Sequence, residues 1–376
     1  MKPRILFLVM SAVHKATAID QLARSLAPHM VLVHHDFSQT AEFVLSEPNV
    51  LFVPDPKRTG WARFGFVDGI FHSLNHALQN LEFDYLQLLS PTCLPIKPIG
   101  QFEAHVAGSA EAHFGCVDLL ADPDALMSVG YRAFTPEGSF RHRAARWLTR
   151  HYFLGTTGRR DEAGIWLRTG FSTGRGGRMT MTARIARKVI TALSNPLIGR
   201  HCFDKHLHPY VGSVWFGAKR HVIGALVAAY ARPSVRDYFS RLRIAEEFLI
   251  PTLLKDTGAL AGPLNHYVNV FDEAHPQWIE EIDFAILRSS PAFFARKFPD
   301  DPRAAVRERV LKDLVGTGSA VKVELAATAS LTLLVDSVAQ LPSPTPESGV
   351  ELRLADDPRG TNAETGELPE SARLAA

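Results

Sequence analysis

The first third of the chain alternates between short apolar segments and amphipathic ones, and this alternation constrains the fold most. Strands are predicted for the apolar segments RILFLVM, MVLVHH, NVLFVP and DYLQLLS. Helices are predicted for AIDQLARSLA and VDGIFHSLNHALQNL, in which apolar residues recur at the 3.6-residue period. Strands that alternate with helices form βαβ units. The sequence therefore predicts an α/β fold with a Rossmann-like, mostly parallel sheet flanked by helices.

Polar residues follow three of these predicted strands at the point where each strand ends. His14 follows the first strand, Asp36 closes the second, and the segment from Ser90 through Thr92 to Cys93 follows the fourth. Open parallel sheets bind ligands outside the carboxyl ends of their strands, so these residues predict one binding rim. The sequence contains neither a GxGxxG motif after the first strand nor a GxxxxGK[ST] motif. This argues against a dinucleotide enzyme and a P-loop NTPase.

Composition and cysteine content indicate a globular protein of a reducing compartment. The chain has 376 residues, of which 46% are hydrophobic, and a net charge of +2, which gives no support for nucleic-acid binding. Three cysteines, Cys93, Cys116 and Cys202, form no disulfide or zinc spacing. The N-terminal ILFLVMSAV is too short to span a bilayer and runs into a helix, so a buried strand is favoured over a signal peptide. We expect a cytoplasmic protein, with the inner face of the membrane as the alternative location.

Two regions differ from the rest in composition. Residues 132–188 carry thirteen basic residues against three acidic ones, and GTTGRRDEAG and STGRGGRMT within them are predicted loops. This Arg/Gly-rich insert is either a solvated basic face or a surface for phosphate or an anionic polymer. Residues 316–376 are rich in small residues, proline and acids, which predicts a largely disordered tail. The predicted organisation is a domain at 1–315, containing the insert, followed by the tail.

Two adjacent carboxylates, Glu246 and Glu247, precede the apolar run FLIPTLL. Acidic residues favour helix N-termini because they face unpaired N–H groups and the positive end of the helix dipole. The alternative is that one of them is a base that removes a proton from a substrate.

Two other patterns contain metal-type ligands. Asp122 and Asp124 flank a proline, which favours a turn over a divalent-cation site, and a zinc site is a further alternative for the cluster His201, Cys202, Asp204, His206 and His208.

Five segments resemble one enzyme family in their order and approximate spacing. They are NVLFVPDPKRTGWARFGFVDG, DYLQLLSPTCLPIKP, GSVWFGAKRHV, AEEFLIPTLL and FFARKF. Together they resemble the core-2/I-branching β-1,6-N-acetylglucosaminyltransferase family (glycosyltransferase family 14) over residues 4–311, with LSPTCLP closer to its plant and bacterial branch. The resemblance implies a GT-A fold that binds a UDP-sugar at the rim. It also implies inversion at the anomeric carbon without a bound metal.

Carried over by position, the resemblance assigns the catalytic base to Glu247 and leaves Glu246 as a first-turn acid or an acceptor contact. It assigns binding of the diphosphate to Lys297, and Arg296 is adjacent. Arg288 is a substitute by position for an arginine that the family has elsewhere in its sequence. A surface lysine is the alternative for Lys297.

The same resemblance implies the residues of the nucleoside and of the cleft. Asp36 and His14 would lie near the nucleoside, and Trp61 would stack near the base, with a core tryptophan as the alternative. The cleft would be lined by residues of the GSxW motif and of the rim, namely Gly212, Ser213, Trp215, Ser90 and Thr92. Cys93 is either reactive or a small buried residue.

The function expected from these residues is transfer of a sugar from a UDP-sugar to a glycan hydroxyl. N-acetylglucosamine is the expected sugar, and the alternatives are a UDP-xylose-dependent enzyme or a non-catalytic glycan- or nucleotide-binding protein. The expected acceptor is a bacterial polysaccharide or lipid-linked glycan that meets the 132–188 insert. No cofactor, metal or nucleic-acid partner is expected.

Overall fold

The computed structural model describes most of the chain between residues 2 and 316. The described residues are 2–122, 126, 138–152, 155–160, 166–172, 180–269, 271–272 and 275–316. The predicted tail, apart from Gly316, and Asp124 of the DxD pattern lie outside the described residues.

The described strands contain between two and seven residues. They are β1 (Ile5–Ser11), β2 (Met30–His35), β3 (Val50–Phe52), β4 (Tyr85–Leu89), β5 (Leu94–Pro95), β6 (Ala112–His113), β7 (Cys116–Asp118), β8 (Gly155–Arg160), β9 (Trp166–Ser172), β10 (Tyr210–Gly212), β11 (Gly217–Lys219), β12 (Ala261–Gly262), β13 (His266–Val268), β14 (Phe271–Asp272), β15 (His275–Pro276) and β16 (Phe294–Arg296).

The described helices lie between these strands. They are α1 (Ala16–Ser25), α2 (Phe64–Asn80), α3 (Ile99–Val106), α4 (Phe140–Tyr152), α5 (Met181–Ser194), α6 (Arg220–Tyr230), α7 (Pro233–Phe239), α8 (Glu246–Asp256), α9 (Phe284–Ser289) and α10 (Ala305–Val310), with a 3-10 turn at Glu281–Asp283 and a π-turn at Leu311–Val315. Among the helices described, none combines the length and apolarity of a membrane span.

One sheet organises the molecule. Its strand order is β12-β6-β11-β4-β1-β2-β3. Strands β4, β1, β2 and β3 pair in parallel, and β11 joins β4 and β6 in antiparallel pairing. The order β3-β2-β1-β4 is typical of Rossmann-type halves. A smaller sheet of order β13-β16-β5 lies beyond the end of β4.

The main sheet separates two apolar layers. Along β1 the residues alternate, because successive side chains of a strand point to opposite faces. Leu6 and Leu8 belong to the layer under α2, whereas Phe7 and Val9 belong to the layer under α1. Both layers are buried, so the predicted α/β class, with a mostly parallel sheet flanked by helices, is confirmed.

The predicted loops in the Arg/Gly-rich insert are partly wrong. GTTGRR forms β8, which pairs antiparallel with β9, with a register shift between Thr157 and Gly158. The prediction weighed the glycines as loop formers, but glycine is tolerated in a strand at a bulge, and WLRTGFS supplies strand-forming residues opposite. The helices α4 and α5 also lie in this insert. The rest of STGRGGRMT, residues 173–179, lies outside the described residues.

Candidate active site

The predicted rim is formed by the carboxyl ends of β1, β2 and β4, which are neighbours in the sheet. The Asp36 N–H donates to the Ser11 carbonyl across the ends of β2 and β1, at 3.0 Å. The His35 ring Nδ1 lies 3.1 Å from the Ser11 hydroxyl oxygen. Three predicted site segments therefore converge because the parallel strands before them end at one edge.

Asp36 is buried, and its carboxylate organises a loop. Its oxygens accept hydrogen bonds from the Ser38 N–H and hydroxyl, the Gln39 amide, and the Thr59 N–H and hydroxyl, at 2.6–3.0 Å. Burial alone would raise the pKa of Asp36, but these donors from Ser38, Gln39 and Thr59 hold it well below its ordinary value. Asp36 thus stays ionised and fixes the loop that leads to Trp61. A direct contact with a nucleoside stays a prediction.

Trp61 is a surface residue, so the core alternative for this residue is excluded. Its side chain is 61% exposed, and the Arg243 guanidinium lies over the ring, 4.7 Å from the centroid. The Ile244 N–H donates to the Ala62 carbonyl at 3.4 Å. Both Ala62 and Ile244 have left-handed φ angles, of 60° and 54°, which is costly for residues with a Cβ. This strained contact joins the Trp61 loop to the segment that enters α8.

The acidic pair opens helix α8. Glu246 and Glu247 occupy its first turn, and Ala245 before them provides no side-chain cap. The Glu246 Oε2 atom is buried and makes no hydrogen bond within the part of the chain that the structure describes. Burial, followed by the charge of Glu247, raises the pKa of Glu246 to about 8. Glu246 therefore holds a proton at neutral pH, while Glu247 acts on it as a negative charge.

A close approach between α8 and the short strand β10 sets the position of the acidic pair. A Cβ at Gly212 would lie 2.0 Å from the Gly115 carbonyl oxygen and 2.9 Å from Pro251 of α8. The hydroxyl of Thr252, in α8, accepts a hydrogen bond from the Tyr210 N–H of β10 at 3.0 Å. This bond also fixes the helix against the strand. Glycine is required at 212 because the Gly115 carbonyl and helix α8 both lie directly against this strand.

The last residue of the GSxW motif, Trp215, lies beside the cation of Arg296. The Ser213 hydroxyl accepts from the Trp215 N–H at 3.1 Å, and the Trp215 side chain is buried. The Arg296 guanidinium, at the end of β16, lies over the Trp215 ring, 4.6 Å from its centroid. This is the geometry of a cation–π contact.

Arg296 is a half-buried cation whose hydrogen-bonding capacity is not filled. Its Nε atom is buried and has no hydrogen-bond partner among the described residues. Burial lowers the pKa of Arg296, and Cys93 and the charge of Glu247 oppose that effect. A buried donor of a guanidinium is costly to leave without a hydrogen bond, so Arg296 is a candidate for binding an anion.

Lys297 follows Arg296, and its ammonium group lies over the Trp278 ring, 3.9 Å from the centroid. Burial, with the charge of Arg296, lowers the pKa of Lys297, and Asp300 opposes this. The Asp300 carboxylate in turn lies 3.6 Å from the His14 Nδ1 and accepts from the Lys15 N–H at 3.0 Å. The predicted residues His14 and Lys297 are therefore linked through Asp300.

The segment after β4 forms the floor between these groups. The Ser90 hydroxyl oxygen lies 3.0 Å from that of Thr92 and 3.1 Å from the Cys93 sulfur. The Thr92 carbonyl accepts from the Phe298 N–H at 2.9 Å, which ties the floor to the Lys297 segment. Cys93 is fully buried, and burial raises the pKa of its thiol. This supports the small buried residue over the reactive thiol.

Two residues of the site escaped the sequence analysis. His266 lies with its Nε2 atom 3.6 Å from the Cys93 sulfur, and its ring centroid is 6.0 Å from that of Trp215. Burial lowers the pKa of His266 to about 3, so the ring is neutral. Neither His266 nor Asp300 belongs to a segment with a recognisable motif, and the only available signal was the nearness of Asp300 to FFARKF.

The structure does not bring Arg288 to this cluster. Arg288 is exposed in the last turn of α9, and its guanidinium lies over the Phe284 ring of the same helix, 5.5 Å from the centroid. The second cation beside Lys297 is its chain neighbour Arg296. Arg296, rather than Arg288, is therefore the arginine that accompanies Lys297.

The two patterns of metal-type ligands also take other roles. The Asp122 N–H donates to the Asp118 carbonyl at 3.1 Å in a turn. The Asp204 carboxylate accepts from the N–H groups of His206 and Leu207, and His208 Nε2 lies 2.8 Å from Asp118. Within the described ranges, no group of three or more histidine, cysteine or acidic residues is arranged to hold a metal ion.

Comparisons with known proteins give weak structural likenesses only. No protein-family model matches the sequence, and no curated protein matches it. The galactosyltransferase LgtC, solved with donor and acceptor sugar analogs, has a TM-score of 0.31 and 9% identity over 82% of this chain and 94% of that one. An active-site mutant of LgtC has a TM-score of 0.30 and 10% identity over 90% and 97% of the two chains. Mouse xyloside xylosyltransferase 1 in its apo form has a TM-score of 0.25 and 11% identity over 77% and 97%. Likenesses at these TM-scores carry no argument about the activity of this chain.

Proposed function

We propose that the protein is a GT-A glycosyltransferase that moves a sugar from a UDP-sugar to a hydroxyl group of a glycan. One observation carries the proposal: the half-buried guanidinium of Arg296, with its Nε unpaired among the described residues, lies over the Trp215 ring, and the charge of Glu247 acts on it. A carboxylate and a cation in one cleft are the two groups that such a transfer needs. The five sequence segments that resemble β-1,6-N-acetylglucosaminyltransferases contain both residues.

Glu247 is the general base in this proposal. Its carboxylate accepts the proton of the acceptor hydroxyl while the hydroxyl oxygen forms a bond to the anomeric carbon. The bond from that carbon to the diphosphate oxygen breaks on the opposite face, so the configuration inverts. Glu246 keeps its proton at neutral pH, because its pKa is raised to about 8, and only one charge of the pair is then available.

Arg296 and Lys297 stabilise the departing diphosphate. The leaving UDP gains negative charge as the glycosidic bond breaks, and fixed cations lower the energy of that transition state. Both side chains are half-buried, and burial lowers the pKa of each. We propose that these side chains fill the role that a divalent ion has in metal-dependent transferases.

The donor proposed is UDP-N-acetylglucosamine, and UDP-xylose is the alternative. Trp61 offers an exposed ring beside the loop that Asp36 holds, which suits stacking of the uracil. The acceptor proposed is a polysaccharide or lipid-linked glycan. These assignments are supported by the sequence resemblance, and the linkage is proposed on the same basis.

The acidic pair provides the test. We expect Glu247→Gln to lower transfer by about 10²–10⁴-fold while UDP binding, measured by calorimetry, is unchanged. Glu246→Gln is the matched control and should retain most of the activity. If Glu246→Gln has the larger effect, the base is misassigned, and if neither changes turnover the chain is a binding protein. A screen of UDP-N-acetylglucosamine, UDP-xylose, UDP-glucose and UDP-glucuronate identifies the donor, and loss of transfer in EDTA would contradict the metal-independent mechanism.

A further inference from the structure

Helices α4 and α5 form a small unit with its own apolar contact. Ala145 of α4 and Ala183, Ala186 and Ile190 of α5 are buried against each other and form a cluster apart from the two layers of the main sheet. The Arg141 guanidinium donates to the carbonyl of Leu193 in the last turn of α5 and to those of Asn195 and Ile198 just beyond it. The start of α4 is thereby fixed to the end of α5, and we call this pair the α4–α5 hairpin.

The hairpin exposes large apolar side chains on its outer faces. The exposed fractions are 75% for Phe140, 59% for Trp147, 73% for Met181, 55% for Ile185 and 40% for Val189. On α5 the exposed residues recur every four positions, opposite the buried alanines. A helix that buries one apolar stripe and exposes another lacks a partner for the second stripe.

Basic residues alternate with these apolar side chains. Arg143, Arg146 and Arg150 are exposed on α4, and Arg184 and Lys188 are exposed on α5. Neither helix contains an acidic residue. This charge distribution is complementary to a dense negative surface.

We propose that the α4–α5 hairpin binds the surface of an anionic lipid bilayer. Helices that lie in a membrane interface combine a cationic polar face with tryptophan, phenylalanine and aliphatic side chains that enter the headgroup region. Anionic lipids attract Lys and Arg near the surface. A soluble anionic polymer would use the arginines but has no apolar layer for Trp147, Met181 and Ile185, so the exposed apolar side chains favour the bilayer. This proposal does not depend on the transferase activity.

The test is sedimentation of the full chain with phosphatidylcholine vesicles that contain or lack phosphatidylglycerol. We expect binding to require phosphatidylglycerol and to weaken with salt. Replacing three charges, in Arg143→Gln/Arg146→Gln/Arg150→Gln, should weaken binding by on the order of a hundredfold. Trp147→Ser/Ile185→Ser, which leaves every charge in place, should weaken it by about tenfold or more.

The control is Ile282→Ser/Lys312→Gln, which changes an exposed apolar and an exposed basic side chain outside the hairpin. It should bind vesicles as the unchanged protein does, and circular dichroism should show that all variants are folded. Failure to bind phosphatidylglycerol vesicles, or equal loss in the control, would overturn the proposal. So would binding that only the arginine variant lowers and that a soluble anionic polysaccharide competes away, because the hairpin would then be a polymer site.

Discussion

Glu246 and Glu247 have the same side chain and adjacent positions, yet their surroundings give them different states. The Glu246 Oε2 atom is buried and makes no hydrogen bond to the described part of the chain, and the charge of Glu247 is one cause of its raised pKa. Two carboxylates this close share protons rather than ionise together. The choice of base in such a pair depends on which member the fold leaves ionised.

The first prediction concerns the pH dependence of stability. The pKa of Glu246 is raised from 4.5 to about 8, so the folded protein keeps a proton that the unfolded chain releases. The free energy of unfolding should therefore fall as pH rises from the unfolded pKa to the folded one, and level off above it. The Glu246→Gln variant has no carboxyl group to titrate at this position, so this fall in the free energy of unfolding is absent. The fall amounts to roughly a few kcal/mol at the upper end of the pH range.

Thermal denaturation of both proteins across this pH range is the measurement. The difference in Tm between Glu246→Gln and the unchanged protein should increase with pH. A difference that does not vary with pH would contradict the assignment.

The second prediction separates two arginines. Arg296 is half-buried with an unpartnered, buried Nε, whereas Arg288 is exposed. We expect Arg296→Gln to lower kcat/KM by about 10² or more and to leave Tm unchanged or higher, because a buried charge with unfilled hydrogen bonds is costly. Arg288→Gln should retain activity. Steady-state kinetics with saturating acceptor tests both, and equal losses would restore a phosphate role for Arg288.

The quoted segments contain the candidate residues Trp215, Glu247 and Arg296; the fold places Arg296 over Trp215, and the charge of Glu247 acts on Arg296. Their roles stay predictions. The sequence did not identify Asp300 or His266. Asp300 contacts Lys15, which is 285 residues away along the chain, and a contact of that kind leaves no local pattern. The sequence also could not predict that Trp61 is exposed, because a tryptophan is equally compatible with a core position and with a surface that stacks on a ligand.

At the scale of elements, the placement of α8 depends on how closely β10 can approach it. A side chain at 212 would meet both a backbone carbonyl and the Pro251 ring. The position of the acidic pair is thus set about one helical turn away from the acids themselves.

The third prediction follows from this approach. Gly212→Ala should lower the free energy of unfolding by about 2–4 kcal/mol, and lower activity in the protein that remains folded, because α8 must move. Gly224 is the matched control, since a Cβ there meets nothing within 4 Å in helix α6. Gly224→Ala should be neutral or stabilising by up to about 1 kcal/mol. Urea denaturation measures both, and similar effects for the two variants would contradict the close-approach argument.

The elements of the first third were predictable because long apolar strands and a strongly periodic helix leave few alternatives. MVLVHH matches β2 in full, and β1, β4 and α2 lie where the patterns predicted them. The hairpin of β8 and β9 was missed because its glycines and arginines have little strand propensity and their pairing is set by each other. The short strands β5, β13 and β16 form only because the site segments meet there.

For the whole molecule, the C-terminal helix closes the fold onto the first one. The Arg307 side chain is fully buried and donates to Gln21 Oε1 at 2.6 Å and to the carbonyls of Pro299 and Ala18 at 2.9 and 3.3 Å. Burial lowers the pKa of Arg307 to about 10, against the charge of Asp300. These bonds hold α10 against α1 beside the rim.

The fourth prediction tests this closure. Arg307→Met should lower the free energy of unfolding by about 2–4 kcal/mol, because two buried carbonyls lose their donor. Arg309 pairs with Glu281 at 2.6 Å on the surface, and Arg309→Met should cost about 1 kcal/mol or less. Denaturant unfolding of the full chain measures both, and a loss for Arg309→Met as large as that for Arg307→Met would contradict this account.

The link between Asp300 and the turn that holds His14 and Lys15 has a consequence for biosynthesis. During translation β1 leaves the ribosome early. The turn after it, which holds His14 and Lys15, cannot form its contacts with Asp300 until that later segment has also emerged. A nascent chain can therefore assemble the parallel part of the central sheet before this contact forms. If the proposed function is correct, the candidate site is completed only when the segment that carries Asp300 has emerged.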